Sequence, residues 1–218
     1  MRTPRVFAGS FVCTAAIVAA IGGFQNARAG EPTPLIPRDV LFGNPDRANV
    51  QLSPDGRRIS FVRSVNGVLN VWVGPIGDPA AAKPVTDDTY RGIRNYFWAY
   101  TNRHILYVQD KGGDENFHLY SVDLRNDKTL DLTPFEGVRA QVQEVSHRYP
   151  QEVLVGINNR DAKYHDLHRV NVVTGERTLV QQNDEFAGFV TDDDMKVYFG
   201  LKVSSDGGSE IYRTTGKN

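Results

Sequence analysis

The feature that most constrains this chain is an internal repeat. Short apolar runs follow polar turns at Ile59-Ser60-Phe61-Val62, Ile105-Leu106-Tyr107-Val108, Val153-Leu154-Val155 and Val197-Tyr198-Phe199, and their first residues lie 46, 48 and 44 apart. A second series, Val71-Trp72, Leu119-Tyr120, Leu167-His168 and Ile211-Tyr212, keeps step at 48, 48 and 44. A third, Pro84-Val85-Thr86, Asp131-Leu132-Thr133 and Thr178-Leu179-Val180, is spaced 47 and 47. A fourth strand precedes each polar turn, at 49–52, 96–100, 143–146 and 188–191. Independent anchors sharing one period mark a repeat architecture.

The corners between these runs carry turn residues: Ser53-Pro54-Asp55-Gly56, Asn66-Gly67, Gly112-Gly113-Asp114, Thr174-Gly175 and Asp206-Gly207-Gly208. No ten-residue stretch beyond residue 30 repeats its apolar residues with the 3.6 period of a helix. Four short strands per repeat of about 40–50 residues are the dimensions of a β-propeller blade. The expected fold is all-β, a partial propeller with four blades at about 48–86, 95–133, 141–181 and 187–213, the fourth lacking its outer strand. Residues 30–47 form a lead-in segment. A propeller generally closes with about four to eight blades, so the chain reads as the front portion of a longer protein or as the product of a truncated reading frame.

Residues 1–29 stand apart. Arg2 and Arg5 precede an apolar stretch from Val6 to Phe24, and Ala27-Arg28-Ala29 is a small-x-small cleavage site, the pattern of a secretory signal peptide. An uncleaved anchor is the competing reading, opposed by Gly22-Gly23 and the cleavage site. The expected location is periplasmic or secreted. Cys13, the one cysteine, lies within this segment, which excludes disulfides, thiol catalysis and thiolate metal sites beyond it. The segment holds three arginines and no acid, so cleavage leaves 22 basic against 26 acidic residues. That balance offers no electrostatic footprint for nucleic acid.

The Ser53-Pro54-Asp55-Gly56-Arg57 turn, the run from Gly113 to Leu124 (GDENFHLYSVDL) and the segment from Tyr164 to Asn171 (YHDLHRVN) resemble the N-terminal propeller of family S9 serine peptidases, the prolyl oligopeptidase, dipeptidyl-peptidase and acylaminoacyl-peptidase relatives. Val40-Leu41-Phe42-Gly43-Asn44-Pro45 looks like the lead-in of exported bacterial members, and the resemblance covers about residues 35–213. It implies a propeller placed over a following α/β-hydrolase domain that carries Ser, Asp and His. The nucleophile elbow of that domain requires G-x-S-x-G, which does not occur here. No family catalytic residue can therefore be carried onto this chain, which by itself should be inactive.

His165 and His168 have the spacing of a metal pair, but strand positions i and i+3 point to opposite faces, and strand polar residues are the better account. Asp192-Asp193-Asp194 lacks the alternating ligands and glycine of a calcium loop and occupies the place of the S-P-D-G turn, so a solvated turn is expected. Asp114-Glu115 in a Gly-rich hairpin reads as solvated too. His104, His118 and His147 show no serine and acid around them at a recognisable spacing. Trp72, Trp98, Tyr120, Phe199 and Tyr212 are expected to pack between adjacent blades. No catalytic, cofactor or metal residue is assigned.

Two functions from different classes follow. In the first, the chain is the propeller portion of an exported S9-type peptidase, restricting peptide access to a catalytic domain absent from this chain. In the second it is a TolB-like, non-catalytic propeller that binds a protein or peptide in the cell envelope; an inactive truncated product is the deflationary form. The expected partners are peptides, reached through the missing domain, with no nucleic acid, no membrane after signal cleavage, no cofactor, and self-association through exposed blade edges.

Overall fold

The computed structural model describes residues 34–214, so the leader expected at 1–29 lies outside the described residues. Four antiparallel sheets succeed one another, each a meander of sequence neighbours. The first contains β1 (Ala48–Leu52), β2 (Arg58–Val65), β3 (Val68–Pro75) and β4 (Lys83–Pro84). The second contains β5 (Tyr96–Trp98), β6 (His104–Gln109), β7 (His118–Asp123) and β8 (Lys128–Asp131). The third contains β9 (Ala140–Val145), β10 (Glu152–Asp161), β11 (Tyr164–Asn171) and β12 (Arg177–Gln181). Among the described residues the fourth has three strands, β13 (Gly188–Thr191), β14 (Val197–Val203) and β15 (Ser209–Arg213). Each strand falls on an anchor of the repeat, and the fold is the partial propeller the repeat implies.

Two local departures have clear causes. The lead-in contains a single exposed helical turn, α1 (Arg38–Phe42), too short to show a period in sequence. Strand β4 stops at Pro84, although Val85 still donates to the Val71 carbonyl at 2.8 Å. Thr86 then replaces the backbone acceptor: its Oγ1 receives the Val71 N–H at 2.9 Å. The second blade repeats the device, with Leu132 N–H on the Leu119 carbonyl at 2.8 Å and Leu119 N–H on Thr133 Oγ1 at 3.0 Å. A side-chain hydroxyl thus satisfies the backbone where the ladder ends.

Because strand side chains alternate between faces, each blade feeds two interfaces. Val62 and Val71, paired across β2 and β3, join Ile93, Tyr96, Trp98, Ile105 and Val122 between the first two blades. Leu106, Leu119 and Leu132 meet Val153, Val155 and Val170 between the second and third. Leu154, Leu167, Phe189 and Met195 fill the junction of the third and fourth. Polar groups are satisfied inside these seams: Trp98 Nε1 donates to Ser60 Oγ at 2.8 Å, and the Tyr96 hydroxyl donates to the Asn49 carbonyl at 2.7 Å. Burial pushes the Tyr96 phenol up to about 12.

The packing expected of the aromatics holds for Trp98, whereas Tyr120 stacks on Tyr107 of its own blade at 5.1 Å and Tyr212, 43% exposed, lies edge-on to Phe186 at 5.8 Å. It does not hold for Trp72. That residue pairs with Phe61 on the face of the first blade away from the second, under the Arg63 guanidinium at 5.0 Å. Phe61 on that face is nonetheless buried, with Arg47 of the lead-in 4.9 Å over its ring, while Asn44 donates to the Gly67 carbonyl.

Gly74 is required by close approach, since a Cβ there would lie 2.7 Å from the Ala82 Cα. Gly74→Ala should therefore cost about 1–3 kcal/mol, the usual toll of overpacking against backbone. A fall in the urea midpoint checks this, and an unchanged midpoint contradicts it.

Candidate functional site

Successive connections of an antiparallel meander leave alternate ends of a sheet, so the blades present two loop faces. One carries the β1–β2 turn and its equivalents. Gly56 N–H meets the Ser53 carbonyl at 2.8 Å, Asn102 the Ala99 carbonyl at 3.2 Å, and Met195 the Asp192 carbonyl at 2.8 Å. All three closing residues have positive φ, at 69°, 63° and 57°. Asp192-Asp193-Asp194 is thus the S-P-D-G turn of the fourth blade, as its position implied.

The triad of acids is more than a solvated turn. Ser146 Oγ donates to the Asp193 carbonyl at 2.6 Å, Arg148 Nη1 lies 2.7 Å from Asp194 Oδ1, and Arg169 Nη2 reaches the Asp194 carbonyl at 2.6 Å. It clamps the fourth blade to the third. Asp192 Oδ1 accepts the amides of Asp194 and Lys196, so this carboxylate shapes the turn itself. Among the described residues no three His, Cys, Asp or Glu side chains gather to hold a metal ion.

On the opposite face, Asp114 Oδ1 accepts the amides of Lys111 and Asn116 at 3.2 and 3.1 Å, so this acid shapes its own hairpin. Buried Asp110 faces Arg91 Nε at 3.4 Å, and Gln109 Nε2 donates to Asp88 Oδ2 at 2.7 Å. These contacts tie the hairpin of the second blade to the segment arriving from the first. In the third blade, Asp166 receives Arg160 Nε at 2.8 Å, Arg160 Nη2 at 2.9 Å and the Asn183 amide at 2.7 Å. Burial of Asp166 works against its charge, yet the guanidinium and the amide outweigh it and hold the carboxyl below the usual range.

The histidines do not converge. His165 Nε2 is buried without a partner, and its pKa is pushed down by burial and by nearby Arg139. His168 Nδ1 rests 3.1 Å from the Asp166 carbonyl. His118 Nδ1 meets Asp131 Oδ2 at 2.7 Å, and His147 lies edge-on to Tyr100. Around His104 the structure places groups that sequence spacing did not suggest: Thr101 Oγ1 at 2.9 Å from Nδ1 and Asp123 Oδ2 at 3.9 Å from Nε2. With His104 only 2% exposed, and Asp123 also held by Arg103, this is a buried strut rather than a reactive hydroxyl.

Inter-blade latches on the inner strands, which sequence spacing does not reveal, join neighbouring blades. Gln51 Nε2 donates to the Tyr96 carbonyl at 2.7 Å, and Gln143 Nε2 to the Phe189 carbonyl at 3.0 Å. The two glutamines lie 92 residues apart, close to two repeats, but they are one position out of register, Glu144 being the equivalent of Gln51. The arrangement as a whole is a scaffold of clamped blades.

No family model matches the chain. It is 50% identical over 182 residues to the protein named dipeptidyl aminopeptidase BIII of Pseudoxanthomonas mexicana, an alignment covering 83% of this chain and 26% of that protein. It is 32% identical over 186 residues to dipeptidyl peptidase family member 6 of Caenorhabditis elegans, covering 82% of this chain and 25% of that one. The chain thus spans about a quarter of the length of these relatives. Its fold matches the β-propeller domain of the Trilobed protease from Pyrococcus furiosus with a TM-score of 0.53 at 16% identity, covering 79% of this chain and 55% of that domain. With blade architecture and sequence kinship in agreement, the chain is a partial β-propeller whose relatives are peptidases of family S9.

Proposed function

We propose that this chain is the access-restricting propeller portion of an exported peptidase that removes dipeptides from peptide N-termini. The observation that carries this reading is the 50% identity, over most of the chain, to a protein named a dipeptidyl aminopeptidase. The chain supplies no chemistry of its own. Its blades cover an active site carried by a separate hydrolase domain and exclude folded proteins, so that only short or unfolded peptides reach the serine.

The test begins with the coding DNA beyond codon 218. A continued frame with further blades and then G-x-S-x-G supports the reading, and an unrelated gene there counts against it. The longer product should release dipeptides from short peptides and take up a fluorophosphonate probe stoichiometrically. Residues 30–218 alone should do neither. Stoichiometric labelling of residues 30–218 would reveal a nucleophile within the blades.

Export belongs to the same proposal. Ala27 and Ala29 are the small residues a signal peptidase accepts, so the mature protein should begin at or next to Gly30 in the cell envelope. N-terminal sequencing decides it, and an intact Met1 in the membrane fraction supports an anchor instead.

A further inference from the structure

We propose that a pocket between the first and second blades binds a small amphipathic anion, a single carboxylate on an aliphatic body. The cavity measures about 410 Å³ and opens on the face that carries the β1–β2 turn. Its floor is apolar: Val73, Val85 and Leu124 are the partly buried fringe of the core between these blades. The back wall is fixed, because Gly74 packs directly on Ala82 and Asp78 caps the short 3-10 turn that ends at Ala81.

The rim is cationic. Arg57, Arg58 and Lys83 line the opening against one acid, Asp127. Among the described residues none of these three cations forms an ion pair, whereas Arg91, Arg103, Arg148, Arg160 and Arg169 each do. Asp55 is near enough to feel both arginines, but its Oδ1 already accepts the Ser53 hydroxyl at 2.6 Å and the Arg57 amide at 3.1 Å. The register explains the convergence. Arg58 pairs with Pro75 and Lys83 with Val73, so both cations flank the pocket end of β3. An apolar floor under three cations that outnumber the two nearby acids, Asp55 and Asp127, suits a ligand with an aliphatic body and an anionic head. That chemistry is shared by the C-terminal residue of a peptide and by a short fatty acid.

Titration of the full chain, followed by NMR, with N-acetyl-leucine, hexanoate, hexanol and inorganic phosphate tests the assignment. Both carboxylates should bind at this pocket more tightly than hexanol or phosphate, and the tighter of the two identifies the source. Arg57→Gln combined with Lys83→Gln should weaken the carboxylates about three- to tenfold while sparing hexanol. Asp127→Asn should tighten them, a gain that misfolding cannot imitate. Failure of both carboxylates to bind, equal affinity for hexanol or phosphate, or affinities indifferent to all the substitutions would overturn the proposal.

Discussion

Asp166→Ala is expected to destabilise the chain by about 2–4 kcal/mol, because it removes the buried carboxylate that pairs with the partly exposed Arg160 guanidinium and leaves the Asn183 amide without its acceptor. The Arg160 side chain is 38% exposed and can be rehydrated, which keeps the loss below that of a fully buried pair. The same carboxylate makes stability depend on acid. Its folded pKa lies below the ordinary value of 3.8, so the folded state binds the proton less readily than the unfolded one. The contribution is then complete above that value and is lost as pH falls through the folded pKa. Urea midpoints near neutrality and again below pH 3.8 should show the gap between wild type and Asp166→Asn narrowing in acid. A constant gap would mean that Asp166 is not charged in the folded protein.

The 218-residue chain should associate as its concentration rises. Register pairs place Val190 opposite Phe199 and Leu201 opposite Ile211, so these residues and Val203 form one row on the face of the fourth blade turned away from the third. Val203 and Ile211 are 69% and 68% exposed, and all five residues of β15 are exposed. Strand β15 also forms the outer edge of its sheet among the described residues, where the other three sheets have a fourth strand. An apolar row beside an unpaired edge recruits another strand or another face. Light scattering should report concentration-dependent mass, and Val203→Lys with Ile211→Lys should reduce it. A monomer at every concentration would sink this expectation.

The opposite face of the same sheet shows what covering such a surface requires. Phe189, Gly200 and Tyr212 lie in one row toward the third blade, and Gly200 is glycine because the Phe186 ring occupies the position of its Cβ, 2.5 Å from the nearest ring carbon. Lys202 completes the stack over Tyr212 at 4.7 Å. Phe199, expected in sequence to pack between blades, instead belongs to the outward row, since a strand residue lies on the face opposite its neighbour Gly200.

How far the sequence reaches can be judged from particular elements. The repeat placed β2, β6, β10 and β14 because each is a short apolar run with turn residues in front of it, a signal contained within about ten residues. The equivalence of Asp192-Asp193-Asp194 with Ser53-Pro54-Asp55-Gly56 was legible from phase alone, even though Met195 replaces the glycine. What those acids hold was not legible. Ser146, Arg148 and Arg169 reach them across 25 to 47 residues. The same limit hid Asp123 beside His104, and it hid the three cations around the pocket of the first two blades. By itself the sequence determined the period, the strands, the turns and the lack of a nucleophile elbow, all local matters of side-chain pattern. Only the tertiary structure decided which blade clamps which, because periodicity assigns a residue to a face, whereas a hydrogen bond near 3 Å depends on the angle and height at which two faces meet.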